Sequence, residues 1–161
     1  MSTDVFPNAG SHPTESSILL VEDEATDVAL IRRALRRGGL VNPIEHVSDG
    51  EAAVDYLLSR CPPAADDADR LPVLVLLDLK LPRLDGFGVL ERLKSTESLK
   101  RLPVVVLTSS AESEDVERAY DCGANSYLVK PVEFAAFVEV ARRINRYWLL
   151  LNTPPRPGGG R

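Results

Sequence analysis

The chain has 161 residues, 44% hydrophobic and 27% charged, which suits one globular domain with a full core and ragged ends and excludes a second of ordinary size. A formal charge of −5 argues against a general nucleic-acid binder, which needs Lys and Arg gathered on one face; Arg32, Arg33, Arg36 and Arg37 fall on a helical pattern and read as a solvated face. Two cysteines without metal-ligand spacing, no run long enough to span a membrane and a polar start without an apolar core point to a reduced, cytoplasmic chain with no signal peptide and no membrane partner.

Residues 1–16, with Pro7, Asn8, Gly10 and Pro13, read as a disordered leader, and order is expected from Ile18. Ile18-Leu19-Leu20-Val21 is a short buried strand ending in Glu22-Asp23-Glu24. The helix after it is expected to take Thr26 or Asp27 as its cap, to present Val28, Ile31, Ala34 and Leu35 on one face, and to stop at Gly38-Gly39. Ile44 to Val47 predicts a second strand, and Asp49-Gly50 turns into a helix carrying Ala53, Leu57 and Leu58. Residues 61–72, with three prolines and three aspartates, read as a long exposed loop.

The apolar run from Val73 to Leu77 is of strand length and ends in Asp78, the pattern of a strand buried on both faces of a parallel sheet. For Asp78 alone, a loop carboxylate capping a helix is the plain alternative. Gly86 to about Lys94 predicts the next helix. Val104-Val105-Val106-Leu107 is a fourth strand ending in Thr108-Ser109-Ser110, and a helix from Ser113 to Cys122 stops at Gly123. Ser126-Tyr127-Leu128-Val129 is a fifth strand ending in Lys130-Pro131. A last helix is predicted from Glu133 to Leu151, and residues 152–161, with Pro154, Pro155, Pro157 and three glycines, read as a disordered tail.

Five strands alternating with five helices wind, by the right-handed crossover rule, into an α/β fold: a (βα)5 doubly wound parallel sheet of the flavodoxin-like order 2-1-3-4-5. That order brings Glu22 and Asp23, Asp78, Thr108 and Lys130 to one sheet edge, the edge where ligands of such sheets bind. Independent helix caps do not explain four strand ends that each finish in a reactive side chain. Carboxylates about 5 Å apart repel by roughly 3 kcal/mol per pair at an effective dielectric near 20, so the crevice calls for a cation. Mg²⁺ fits, being held by one or two carboxylates and a phosphate: Asp23 and Asp78 would ligate directly, and Glu22 through water. A carboxylate between Mg²⁺ and Lys130 is a usable nucleophile toward phosphorus, and Thr108 can donate its hydroxyl to a phosphoryl oxygen.

With Leu20-Val21-Glu22-Asp23, Leu76-Leu77-Asp78 followed by Leu81-Pro82 and Asp85-Gly86, Leu107-Thr108-Ser109, and Tyr127-Leu128-Val129-Lys130-Pro131 in this order and separation, the chain resembles the receiver domains of two-component response regulators, the CheY-like class. The likeness spans about Ile18 to Leu151, giving a receiver domain over residues 17–151. It implies Asp78 as phosphoacceptor, Glu22 and Asp23 as the acidic metal pair, the Lys80 backbone carbonyl as a further metal ligand, Thr108 as switch hydroxyl, Lys130 as phosphate-binding cation and Tyr127 as the switch aromatic that turns inward on phosphorylation. It also implies a cis bond before Pro131.

Lys80 and Ser110 depart from the common pattern and are expected to tune the lifetime of the acyl phosphate. Residues 61–72 and the ending from Ile144 to Pro155 are similar to single-domain regulators that partner with bacterial and cyanobacterial phytochrome histidine kinases. On the last helix Phe134, Phe137, Val138, Ala141, Ile144, Trp148 and Leu151 share one face. Val140, Tyr147, Leu149 and Leu150 lie largely off it, which leads to the expectation of a homodimer through the face of the fourth helix, fifth strand and fifth helix, with Tyr147, Trp148 and Leu150 on the partner face; a helix end wrapped by the tail is the plain alternative.

The leading expectation is a single-domain signalling switch, phosphorylated by a sensor histidine kinase, that catalyses only its own phosphorylation and slow dephosphorylation. The alternative is an interaction module on the same fold that needs no phosphorylation; the complete acid, Thr and Lys set counts against it. A phosphatase with an Asp nucleophile wants a second acid two residues on, where Lys80 stands. A nucleotide or flavin site wants glycines after the first strand, where the chain is acidic.

Overall fold

Side chains along a strand alternate between the two faces of a sheet, and the apolar runs of this chain use both. In the computed structural model, which describes residues 16–61 and 71–155, the strands are β1 (Ile18–Val21), β2 (Ile44–Val47), β3 (Leu74–Leu77), β4 (Val104–Thr108) and β5 (Ser126–Val129). The helices between and after them are α1 (Ala25–Arg37), α2 (Gly50–Ser59), α3 (Gly86–Ser95), α4 (Ser113–Asp121) and α5 (Phe134–Ile144). All pairings are parallel and the order is β2-β1-β3-β4-β5, as expected. Of the expected leader (1–16), loop (61–72) and tail (152–161), residues 1–15, 62–70 and 156–161 lie outside the described residues.

Leu19, Val21, Val75, Leu77, Val104 and Val106 face one way and pack with Ala53 and Leu57 of α2, Val89, Leu90 and Leu93 of α3, and Ala119 of α4. Ile18, Leu20, Leu74, Leu76, Val105 and Leu107 face the other way and meet Ile31, Ala34 and Leu35 of α1 and Phe137, Ala141 and Ile144 of α5. Each such aliphatic side chain contributes roughly 1.5–3 kcal/mol by leaving water. Two packed layers thus hold the central strands rigid, and their carboxyl ends become fixed points. The four arginines of the cluster are exposed, as expected, and two of them also make contacts: Arg33 lies 4.8 Å over the Phe134 ring, and Arg36 donates to the carbonyls of Leu40 and Asn42.

Helix α1 starts earlier than expected. Its first residue is Ala25, preceded by Glu24, whose side chain makes no capping hydrogen bond. The Glu24 carbonyl accepts from Val28 N–H at 2.9 Å, so Thr26 and Asp27 are already inside the first turn. The end agrees with the glycine signal: Gly39 has φ +98°, and the Leu40 N–H returns to the Leu35 carbonyl at 3.0 Å.

The last helix also differs. After Ile144 it widens into a π-helical segment, Asn145–Leu151, closed by the Asn152 N–H on the Tyr147 carbonyl at 2.6 Å. Widened turns change which residues share a face. Trp148 and Leu149 pack half-buried on the α1/α5 layer, whereas Tyr147, Leu150 and Leu151 are exposed. Leu151, placed on the inner stripe by α-helical spacing, is therefore outside, and Leu149, placed off it, is inside.

Close backbone approach explains Gly50. Asp49 caps α2 by accepting from Ala52 N–H at 2.7 Å, and a Cβ on Gly50 would lie 1.9 Å from the Leu84 carbonyl oxygen, in the loop that follows β3. Gly50→Ala must push that loop away and is expected to cost about 1–3 kcal/mol. Urea unfolding reads this as a lowered midpoint at unchanged slope.

Candidate functional site

The loops leaving β1, β3 and β5 meet around the ammonium of Lys130. Its Nζ donates to Glu22 Oε2 at 2.5 Å, to Asp27 Oδ2 at 2.9 Å and to Asp78 Oδ2 at 3.3 Å, so each of its three hydrogens has a carboxylate. The Lys130 backbone is fixed as well, its N–H donating to the Thr108 carbonyl at 2.7 Å. The Lys130–Pro131 bond is trans, where the resemblance implied cis; trans is the lower-energy isomer of an X-Pro bond, and from it the lysine side chain already reaches all three acids.

Glu22, Asp23 and Asp78 each offer an oxygen within 4.8 Å of the others. Glu22 is fully buried and Asp78 nearly so, while Asp23 faces solvent. Burial, with the Asp78 charge added, pushes the Glu22 carboxyl up to about 7, against the pull of the Lys130 hydrogen bond. Burial works against the Lys130 charge too, but hydrogen bonds to Glu22 and Asp27 and the charge of Asp78 hold its ammonium well above the ordinary lysine range. The pocket thus carries more negative charge than one ammonium satisfies. Converging hard oxygen donors with surplus negative charge are the donor set of a small divalent cation, so the residues present fit Mg²⁺.

Asp78 is further held by the Leu79 N–H, which donates to its Oδ1 at 2.8 Å. Behind it, a Cβ on Gly86 would lie 2.5 Å from the Asp78 carbonyl oxygen, so glycine there lets the β3 loop fold back tightly. Asp85 caps α3 by accepting from Gly88 N–H at 2.8 Å. Lys80, two residues beyond Asp78, is exposed.

Thr108 is 1% exposed, and its Oγ1 is the one buried side-chain oxygen without a hydrogen-bond partner among the described residues. Leaving a buried hydroxyl unpaired costs about 1–3 kcal/mol, which an acceptor entering at the strand end would recover. Tyr127, half-buried, donates its hydroxyl to the Ser110 carbonyl at 2.9 Å, and Ser110 Oγ donates to Asp115 Oδ2 at 2.5 Å. The β4–α4 loop is thereby tied to β5 on one side and to α4 on the other.

The response regulator receiver domain family matches residues 18–142. The chain belongs to that family. This receiver is 44% identical over 140 residues to the probable methanogenesis regulatory protein FilR2 of Methanothrix harundinacea, covering 87% of this chain and 88% of the relative. The phosphorylated cyanobacterial phytochrome response regulator RcpA superposes with a TM-score of 0.77 at 36% identity, covering 88% of this chain and 99% of that one. The Mn²⁺-bound form of response regulator Rcp1, known from Synechocystis, does so with a TM-score of 0.73 at 35% identity, covering 87% and 99%. The receiver is thus a two-component response regulator domain close to phytochrome response regulators, and the doubly wound fold matches theirs. Among its described residues no helix is long and apolar enough to cross a membrane.

The structure brings together Glu22, Asp23, Asp78 and Lys130. One member was missed from the sequence: Asp27, read as a helix cap, is the second-nearest acid to the Lys130 ammonium. Tyr147 and Leu150 are exposed on the last helical segment, and Trp148 meets Tyr147 edge to face with centroids 5.0 Å apart while turned toward the core.

Proposed function

We propose that this receiver takes a phosphoryl group from a histidine kinase onto Asp78 and, so modified, changes its protein contacts. The observation that carries the reading is the meeting of Lys130 Nζ with Asp78 Oδ2 at 3.3 Å beside the Glu22, Asp23 and Asp78 oxygens. Glu22, Asp23, Asp78 and the Lys80 carbonyl would hold Mg²⁺, and the bound cation would supply charge stabilisation to the phosphoryl oxygens. A carboxylate oxygen of Asp78 forms the new bond to phosphorus while the donor's phosphorus–oxygen or phosphorus–nitrogen bond breaks, its electron pair leaving with the donor. Lys130 neutralises phosphoryl charge, and the partnerless Thr108 hydroxyl donates to a phosphoryl oxygen.

The switch would run from Thr108 through the β4–α4 loop to Tyr127, whose hydroxyl is already bonded to that loop. Lys80 and Ser110 would set the lifetime of the acyl phosphate. The chain has no catalytic task on another substrate in this reading; it acts in the cytoplasm, and the likeness to RcpA supports a phytochrome-type sensor kinase as partner. Its test is incubation with Mg²⁺ and acetyl phosphate, read by intact mass: one added phosphoryl group is expected, and no addition with or without Mg²⁺ would reject the reading.

The exposed Tyr147, Leu150 and Leu151 on the extension of α5 support a homodimer through the α4, β5 and α5 face. Changing Tyr147 and Leu150 to Ala is expected to halve the mass seen by light scattering. An unaltered mass counts against that face.

A further inference from the structure

We infer that Asp27 is a positioning residue that restrains Lys130, holding its ammonium partly away from the acceptor, and so lowers the reactivity of the pocket toward phosphoryl donors while strengthening its hold on cations. The inference rests on the phosphoacceptor reading and adds to it a residue outside the acid pair and the lysine. Asp27 stands in the first turn of α1, where the early start of the helix frees its side chain from capping and directs it across the sheet edge to β5. Its Oδ2 lies 2.9 Å from Lys130 Nζ, nearer than Asp78 Oδ2 at 3.3 Å.

An ammonium has three hydrogens to give, and Glu22 and Asp27 take the two shorter bonds. Asp78 receives the longest. A phosphoryl group on Asp78 must draw Lys130 from this arrangement, and the negative charge of Asp27 resists the move. The same charge repels an anionic donor and attracts a divalent cation. The two effects on ligands therefore have opposite signs, which a residue that merely propped up the lysine would not produce.

Asp27 is 37% exposed, so solvent screening limits its influence to a few-fold. In Asp27→Asn and Asp27→Ala, the phosphorylation rate with acetyl phosphate at saturating Mg²⁺ is expected to rise about threefold, and the Mg²⁺ dissociation constant from calorimetry, measured without donor, to rise about threefold as well. Asp27→Glu keeps the charge and should restore both values toward those of the natural chain. A natural chain that labels while Asp27→Asn labels more slowly sinks this inference alone, since Asp27 would then be needed to place Lys130. Unchanged rate and unchanged Mg²⁺ binding sink it too. A natural chain that takes no phosphoryl group sinks the phosphoacceptor reading and this inference with it.

Discussion

Asp78→Asn is expected to lose phosphoryl uptake by more than about 100-fold, because an amide offers no carboxylate nucleophile to phosphorus. The substitution is close to isosteric, so the surroundings keep their shape: the amide oxygen can still accept from the Leu79 N–H, now at 2.8 Å from Asp78 Oδ1, and the side chain stays buried at the end of β3. Lys130 loses its third and longest carboxylate bond but keeps Glu22 and Asp27. Removing the Asp78 charge also removes one cause of the raised Glu22 carboxyl. Intact mass after incubation with Mg²⁺ and acetyl phosphate is the measurement. Equal labelling of the variant would move the acceptor to another acid, with the exposed Asp23 the first to examine.

Lys130→Met is expected to destabilise the metal-free protein by about 3–5 kcal/mol at alkaline pH, since it strips the buried Glu22 and Asp78 of their counter-charge. The pH dependence has a definite sign. The folded-state carboxyl of Glu22 sits at about 7, above its ordinary 4.5, so between those values the folded chain binds more protons than the unfolded one. Stability therefore falls as pH rises through that window and levels off above it. Without Lys130 one of the influences lowering the Glu22 carboxyl is gone, so the fall is larger and extends to higher pH. Urea unfolding at about pH 5.5 and about pH 8.5 should show the variant's deficit growing with pH, and Mg²⁺ should return part of it. A deficit independent of pH would mean that the loss is one of packing alone.

Most of the architecture could be read from the chain because its strands leave no ambiguity. Leu74 to Leu77 and Val104 to Leu107 are unbroken apolar runs, too short for helices and flanked by turn residues, and alternation with helices allows few windings. Most of the pocket was legible for the same reason: the winding alone puts Glu22, Asp78 and Lys130 at one edge. Asp27 was not legible, because Asp in a first helical turn is equally at home as a cap or as a favourable charge near the helix dipole. Only the position of Lys130, more than a hundred residues away, separates those roles. The π-helical end escaped for a different reason. Periodicity assumes the α-helical repeat, and nothing in Asn145 to Leu151 announces a wider one.

That wider repeat makes the outer surface of Asn145–Leu151 a matter of phase as much as of chemistry. Deleting one residue there would let the coil tighten to its ordinary pitch and rotate everything beyond it, changing which of Tyr147, Trp148, Leu149 and Leu150 face outward with none of them substituted. Two chains that differ at this end by a single deleted residue can therefore offer a neighbour quite different surfaces.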